Sequence, residues 1–437
     1  MNDKYQLICQ DCFSATKSYQ EWLTNNQKCI NCGFGFSFIE YKNFNEECFN
    51  SSNARNLWIY KDLLPITNEN NITTLGEGCL DIERWKSLEN IAEDKFKKDI
   101  QVYVLRNDNN PGTGTFKDLA GTVISSVLSE LNIKNYVVAS TGNFGAAISR
   151  YLSINDITLH AFIPKNSSAS QESEIKSNGA SVYRVNGDYS FAKKLAEEFA
   201  LKNNFILGGS GIDPLRIEAK KTMIYEFYRQ FKISPDIFIQ AVSGGTGPIG
   251  VYKGSKELIE NNLIKKFPKL LLYQSTLCSP MANAYSAFIN NNFSEKFLTE
   301  YEIIENPKTK ITTLATGNPG LYPILSKMVH HTGGYIGSVP EDNIVDIFKF
   351  ISLNETVKIG PAACISILGL FEALNNNRVK DGNKILINIG EGAKRSPEFS
   401  EVFYEDKLIN SVNSLNSNQN LYKNRSKSFE AVLNLLN

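Results

Sequence analysis

The alternation that begins near residue 100 limits what this chain can fold into more than any other feature. Short apolar runs at 102–105, 136–139, 159–163, 181–185, 237–241, 270–274 and 384–389 are rich in Val, Ile and Tyr. They lack strict polar–apolar alternation, as strands covered on both faces do. Helical periodicity follows at 119–131, 144–152, 192–202, 217–231, 250–261 and 363–374. Parallel strands need crossovers of a dozen residues or more, and these helices are long enough to supply them. The pattern predicts an α/β fold with mostly parallel sheets.

A chain of 437 residues is too long for one small core, so two or three domains are expected. Lys+Arg and Asp+Glu are equal at 46 each. No sequence-wide field therefore draws the chain to nucleic acid or to an acidic membrane. The opening Met1-Asn2-Asp3-Lys4-Tyr5-Gln6 has no basic segment leading into an apolar run, so no signal peptide is expected. No apolar stretch approaches the ~18 residues that a spanning helix needs. These readings point to the cytoplasm.

Cys9-x2-Cys12 and Cys29-x2-Cys32 are separated by residues 13 to 28. Two such knuckles at this spacing predict a zinc ribbon, with four thiolates closing a tetrahedral structural site. Gly33 and Gly35 beside the second knuckle suit its tight turns. Few basic residues surround the ribbon, which favours a structural or docking role over nucleic-acid binding. The remaining cysteines do not suggest a disulfide framework, and Cys278 and Cys364 lie in apolar runs that predict burial.

Three further segments have the residue types of a ligand site. Asn110-Pro111-Gly112-Thr113-Gly114-Thr115-Phe116-Lys117-Asp118 sets one amine behind a glycine- and threonine-rich turn, at the start of a helical run. Ser140-Thr141-Gly142-Asn143 follows the run 136–139 and opens the next helix. Amides there suit a carboxylate, and the same residue types cap helices. Ser243-Gly244-Gly245-Thr246-Gly247 follows the run 237–241, and its glycines let successive N–H groups turn toward one anion.

In this order the three segments resemble the pyridoxal-phosphate site of the threonine synthase family, whose lysine motif reads Asn-Pro-Thr-Gly-Ser-Phe-Lys-Asp-Arg. The resemblance implies fold type II: two three-layer αβα domains with mostly parallel sheets, plus the N-terminal zinc ribbon. It implies pyridoxal 5′-phosphate held as an imine by Lys117, with the same amine serving as catalytic base. Asn143 is assigned to the ring hydroxyl, and Ser243, Gly244, Gly245, Thr246 and Gly247 to the phosphate. Thr115, Ser140, Thr141 and Gly142 are assigned to the substrate. The implied division is a ribbon module at 1–45, a large cofactor-binding domain at 46–135 with 216–400, a small mobile domain at 136–215, and a polar linker with a C-terminal helix at 401–437. Trp58 to Pro65, Thr74-Leu75-Gly76-Glu77-Gly78 and Arg216-Ile217-Glu218-Ala219-Lys220-Lys221-Thr222 also match family segments, the last against Arg-x-Glu-Gly-x-Lys-Thr. So do Gly317-Asn318-Pro319 and Gly360-Pro361-Ala362-Ala363. The likeness runs from the ribbon to about Arg395.

The chain departs from the family pattern at identifiable places. Gly112 is an insertion, Thr115 replaces Ser, Leu119 replaces Arg, and Cys79-Leu80-Asp81-Ile82 replaces a Thr-Pro-Leu element. Ile389 stands where a threonine hydroxyl is expected at the pyridine nitrogen. Glu391 is the nearest candidate for that role, the alternatives being solvent or a pairing with Lys394 or Arg395. The histidines read as structural: His160 in a strand, His330 and His331 at a helix end. The leading expectation is a threonine synthase-like lyase acting on O-phosphohomoserine. Two others stand beside it: a cysteate synthase-like replacement of O-phosphoserine with sulfite, and a non-catalytic binding protein on the same fold. A small amino-acid substrate is the expected partner, and a homodimer is allowed, with the amphipathic tail at 426–437 serving core packing or a subunit contact.

Overall fold

The computed structural model describes residues 4–51, 54–140, 142–165, 167, 169–209, 213–396 and 418–436. The chain divides into two compact units. The first comprises Met1–Leu80, Asn110–Arg229 and Ile249–Asn262, the second Asp81–Asn109, Gln230–Pro248 and Leu263–Asn437.

The first unit opens with the ribbon: strands β1 (Tyr5–Cys9), β2 (Ala15–Thr16) and β3 (Ser37–Tyr41) form an antiparallel sheet in the order β2-β1-β3. Helix α1 (Tyr19–Thr24) starts where the Ser18 side chain accepts a hydrogen bond from the Glu21 N–H. A second, parallel sheet follows, ordered β8-β7-β6-β9, from β6 (Asn135–Ala139), β7 (Thr158–Pro164), β8 (Ser181–Val185) and β9 (Ile206–Leu207). Helices α3 (Lys117–Glu130), α4 (Asn143–Ile154), α5 (Ala169–Ser177), α6 (Tyr189–Asn203) and α7 (Pro214–Phe231) complete it. Ala192, Ala196 and Ala200 recur every fourth residue along α6, and these small side chains bring it onto Val137, Phe162 and Val185. Gly121 lets α3 lie against α4: a Cβ there would sit 2.4 Å from a ring carbon of Tyr151.

The second unit is built on a six-stranded sheet in the order β12-β11-β10-β13-β5-β4. Strands β5 (Gln101–Leu105), β10 (Ile237–Ala241), β11 (Lys269–Ser275), β12 (Tyr335–Val339) and β13 (Lys384–Asn388) are parallel, and β4 (Ile82–Arg84) is an antiparallel edge. Its helices are α2 (Lys86–Phe96), α9 (Pro280–Asn290), α10 (Lys296–Thr299), α11 (Tyr322–His331), α12 (Ile344–Asn354), α13 (Pro361–Asn375) and α14 (Asn418–Leu435); α8 (Thr246–Glu260) follows β10. Helix α13 is apolar almost all round and buried on the sheet, where Gly369 makes room for the Tyr273 ring. Its core runs through Val102, Val104, Ile239, Leu271, Ile365 and Ile387.

The fold is the α/β type II architecture, with sheets layered between helices and a cysteine-bearing ribbon in front. All seven expected strands and six expected helices are present, with ends shifted by a few residues at most. Sequence reading missed β4 and β9, which are only three and two residues long, and β12, whose Gly337 and Ser338 interrupt the apolar run. Among the described residues no helix is long and apolar enough to cross a membrane.

Candidate functional site

In the first unit, the turn before α3 is held by its own polar side chains. Asn110, buried, accepts from the Gly78 N–H at 2.9 Å and donates to the Thr115 carbonyl at 3.2 Å. The carboxylate of Asp118 accepts from the Thr113 N–H and hydroxyl, both at 2.7 Å. Thr115 accepts from the Lys117 N–H at 3.2 Å, so its hydroxyl braces the residue that carries the amine. Burial pushes the Asp118 carboxyl up to about 6. The inserted Gly112 leaves room for two side chains: a Cβ there would lie 2.7 Å from the Tyr151 hydroxyl and 2.8 Å from the Asp118 carboxyl carbon, so one of them would have to shift. Lys117 is the first residue of α3, and its Nζ lies 4.0 Å from the centre of the Phe116 ring.

Helix α4 begins at Asn143, which is buried, with Gly142 as its N-cap in extended conformation. Thr141 lies outside the described residues. A Cβ on Gly145 would come within 2.4 Å of the Ser140 carbonyl oxygen, so glycine is what lets the loop fold back on the helix. Both motifs meet helix α7. The Arg216 guanidinium lies 3.9 Å from the centre of the Phe144 ring, and Lys220 Nζ lies 5.5 Å from that of Phe116. The helix was recognisable in sequence as a family segment, but nothing in its pattern assigned these two cations to the phenylalanines that neighbour Lys117 and Asn143.

In the second unit, residues 243–247 join β10 to α8. Gly245 adopts φ +91°, and the open space around Gly244 leaves the loop backbone uncovered. A Cβ on Gly247 would lie 2.7 Å from the Gln240 amide nitrogen. Ser243 Oγ lies 2.5 Å from Thr316 Oγ1, and Thr246 is buried at the head of the helix. A positive-φ glycine followed by the first turn of a 15-residue helix turns several N–H groups one way, which suits a phosphate. Gln240 is itself fixed from behind: Asn388 donates to it at 3.1 Å and accepts from Asn107 at 2.7 Å. This buried amide chain has no signature in sequence.

Ile389 is wholly buried in the hydrophobic core, its N–H donating to the Leu105 carbonyl at 3.0 Å. Glu391 is also buried, at 3% exposure, which rules out the solvent-facing alternative. Its carboxylate accepts from the Thr313 hydroxyl at 3.2 Å, and the missing side chain of Gly360 makes room for it.

The four ribbon sulfurs, on Cys9, Cys12, Cys29 and Cys32, lie within 4.8 Å of one another. Cys9 and Cys32 are 3.5 Å apart and Cys12 and Cys29 3.6 Å, near the ~3.8 Å edge of a tetrahedron with Zn–S bonds of ~2.3 Å. The knuckles match: Phe13 and Gly33 each hold positive φ and donate to the carbonyls of Cys9 and Cys29. The Ser14 hydroxyl, 3.0 Å from Cys12 Sγ, draws that thiol down to about 5 and so toward the thiolate. The ribbon docks on its own unit through Tyr41, which donates to Glu218 at 2.7 Å, and Tyr19, which donates to Asp213 at 3.1 Å.

His160 lies in β7, within hydrogen-bond reach of Asn135 at 3.0 Å and Tyr183 at 3.2 Å. His330 closes α11 against Phe288. Both sit as structural residues.

The family model described as "Pyridoxal-phosphate dependent enzyme" matches residues 84–390. A threonine synthase of Methanocaldococcus jannaschii is 28% identical over 341 residues, covering 77% of this chain and 80% of that protein. A cysteate synthase of Methanothrix thermoacetophila is 26% identical over 359 residues, covering 81% and 85%. Among solved structures, the processed form of threonine deaminase isoform 2 from Solanum lycopersicum aligns with TM-score 0.59 at 18% identity, over 78% of this chain and 85% of that one. Maize serine racemase aligns with TM-score 0.59 at 17% identity, over 75% and 93%, and these two likenesses speak to fold alone. With strand order, lysine turn and glycine loop in place, and the family model spanning most of its length, this chain belongs to the pyridoxal-phosphate dependent enzymes of fold type II, in the threonine synthase and cysteate synthase group.

Proposed function

We propose that the chain is a threonine synthase-like lyase, converting O-phosphohomoserine and water to threonine and phosphate. The observation that carries this reading is Lys117 itself, a half-buried amine leading α3 out of a turn braced by Thr115 and Asp118. Likeness to the named threonine synthase over 77% of the chain supports the substrate class.

The residues fit the cofactor. The Gly244, Gly245 and Gly247 backbone with Thr246 and Ser243 offers N–H and hydroxyl donors to its phosphate, in a cradle that a Cβ on Gly247 would disturb. Asn143, buried at the head of α4, serves its ring hydroxyl, and the buried Glu391 serves its ring nitrogen. When bound, pyridoxal phosphate supplies an aldehyde that captures amines and a ring that withdraws electrons. Lys117 holds that aldehyde, then takes the proton from the substrate Cα and returns one later in the reaction. Thr115, Ser140, Thr141 and Gly142 orient the substrate carboxylate, and the Arg216 guanidinium adds a buried cation to the same unit. The ribbon cysteines hold zinc in a structural role, with four protein ligands and no open position.

The test is phosphate release from O-phosphohomoserine by purified protein, with threonine as co-product. Release from O-phosphoserine only, and only with sulfite, would replace this reading with the cysteate synthase-like one, which the 26% identity with a cysteate synthase supports. Release from neither overturns both.

A further inference from the structure

Two side chains of the ribbon reach past its cysteines and hold the surroundings of one buried arginine. Arg216 is the third residue of α7, and its guanidinium lies 3.9 Å from the centre of the Phe144 ring, next to Asn143 at the head of α4. The side chain is buried, Nη1 donates to the Gly209 carbonyl at 3.3 Å, and among the described residues Nε has no acceptor. A buried cation with an unmatched N–H is completed by an anion. On the functional reading above, that anion belongs to the substrate.

Both points that fix Arg216 are tied to the ribbon. At the head of α7, Asp213 caps the helix before Pro214: its carboxylate accepts from the Leu215 N–H at 3.0 Å and its carbonyl from the Arg216 N–H at 3.1 Å. The Tyr19 hydroxyl donates to the same carboxylate at 3.1 Å, and that of Tyr136 in β6 at 3.2 Å. On the other side, the Leu207 carbonyl accepts from the Gly209 N–H at 2.9 Å and from Gln27 Nε2 at 2.8 Å. Gly209 is the residue whose own carbonyl receives Arg216. Tyr19 and Gln27 are buried, and both fall between Cys12 and Cys29 in the chain, so the two knuckles set where they stand. The Tyr19 ring is stacked on Trp22, with centroids 5.4 Å apart, which fixes the direction of its hydroxyl.

We propose that Tyr19 and Gln27 are positioning residues for Arg216, so that the ribbon helps to set the affinity for substrate. Tyr19 acts through the Asp213 cap and Gln27 through the Leu207 carbonyl; neither touches the substrate. The inference rests on the functional reading in placing Arg216 beside the substrate.

The test uses full-length, cofactor-loaded protein. Wild type is compared with Tyr19→Phe, which removes only the hydroxyl, and with Gln27→Met, which keeps the length and removes the donor. KM and kcat come from phosphate release. Calorimetric titration of O-phosphohomoserine into Lys117→Ala protein, alone and combined with each variant, gives Kd without turnover. Each variant raises KM and Kd by about tenfold, the order expected when one well-placed hydrogen bond is lost. kcat stays within about twofold, because the interaction serves ground state and transition state alike. Metal content and the visible cofactor band match wild type. Arg216→Gln raises KM further, and adding Tyr19→Phe to it changes nothing more, since the two act in series.

A brace with a structural role only would lower the melting temperature and the active fraction while KM and Kd stay at wild-type values; that result in the folded variants overturns the inference and leaves the functional reading intact. An undiminished effect of Tyr19→Phe in the Arg216→Gln background also overturns it. Where Tyr19→Phe does not fold, Gln27→Met decides, and Arg216→Lys replaces an unfolded Arg216→Gln. A wild type that releases no phosphate overturns the functional reading, with the calorimetric Kd still deciding the role of Tyr19 and Gln27; no binding either overturns both.

Discussion

Asp118 shows how one residue links the local turn to chemistry. It follows Lys117 directly, accepts two hydrogen bonds from Thr113, and is buried at the start of α3. Its carboxyl titrates at about 6, above the ordinary value of 3.8. The folded state therefore keeps the proton between those values, and the stability it confers falls as pH rises through that window. The stability difference between wild type and Asp118→Asn should shift against wild type by roughly 3 kcal/mol from below pH 4 to neutrality, since each unit is about 1.4 kcal/mol. Urea denaturation of both proteins at the two pH values measures it; a difference independent of pH would show that Asp118 ionises normally. At the neighbouring position, Lys117→Ala should abolish the visible band and all turnover while leaving the melting temperature nearly unchanged. A band that survives in that variant would leave the chain a binding protein at most.

At the scale of elements, the loop between β10 and α8 makes two glycine substitutions diverge. Gly247→Ala pushes a methyl into the Gln240 amide, which Asn388 and Asn107 hold from behind, so a loss of about 1–3 kcal/mol is expected. Gly244→Ala meets nothing within 4 Å and should change stability by less than about 0.5 kcal/mol, while weakening cofactor retention. Denaturation curves beside equilibrium dialysis of the cofactor separate the two effects. The ribbon makes a similar case: Cys29→Ser should lose zinc by elemental analysis and lower thermal stability, because a four-thiolate site contributes folding free energy directly. Wild-type protein purified from zinc-containing medium without bound zinc would mean that the sulfurs hold no zinc.

At the scale of the whole molecule, the second unit extends beyond the stretch that matches the family model. Helix α14 packs on α12: Val432 is fully buried, Phe429 lies against Phe350, and Arg425 donates to the Leu353 carbonyl at 2.8 Å. The family match ends at residue 390, and this helix, beyond it in the chain, completes an apolar surface of the core. Val432→Ala should cost roughly 2 kcal/mol, about 0.8 per buried methylene plus the cavity left behind. A melting curve that does not move would show that α14 contributes nothing to that core.

Read alone, the sequence determined the parts whose physics is local or periodic. Apolar runs such as 181–185 and 237–241 became strands at those positions, since a strand covered on both faces must be apolar throughout. Cys9, Cys12, Cys29 and Cys32 converge because two knuckles leave few other geometries, and Lys117 and Asn143 each begin a helix. What tertiary structure alone decided are the contacts made across long sequence separations. Gly112 makes room for the Tyr151 hydroxyl, Gln240 is held by Asn388, and Glu391 is buried against Thr313. Lys220 lies beside Lys117 for the same reason: α3 and α7 are a hundred residues apart in the chain, and only packing, driven by apolar burial, brings two amines to one phenylalanine ring.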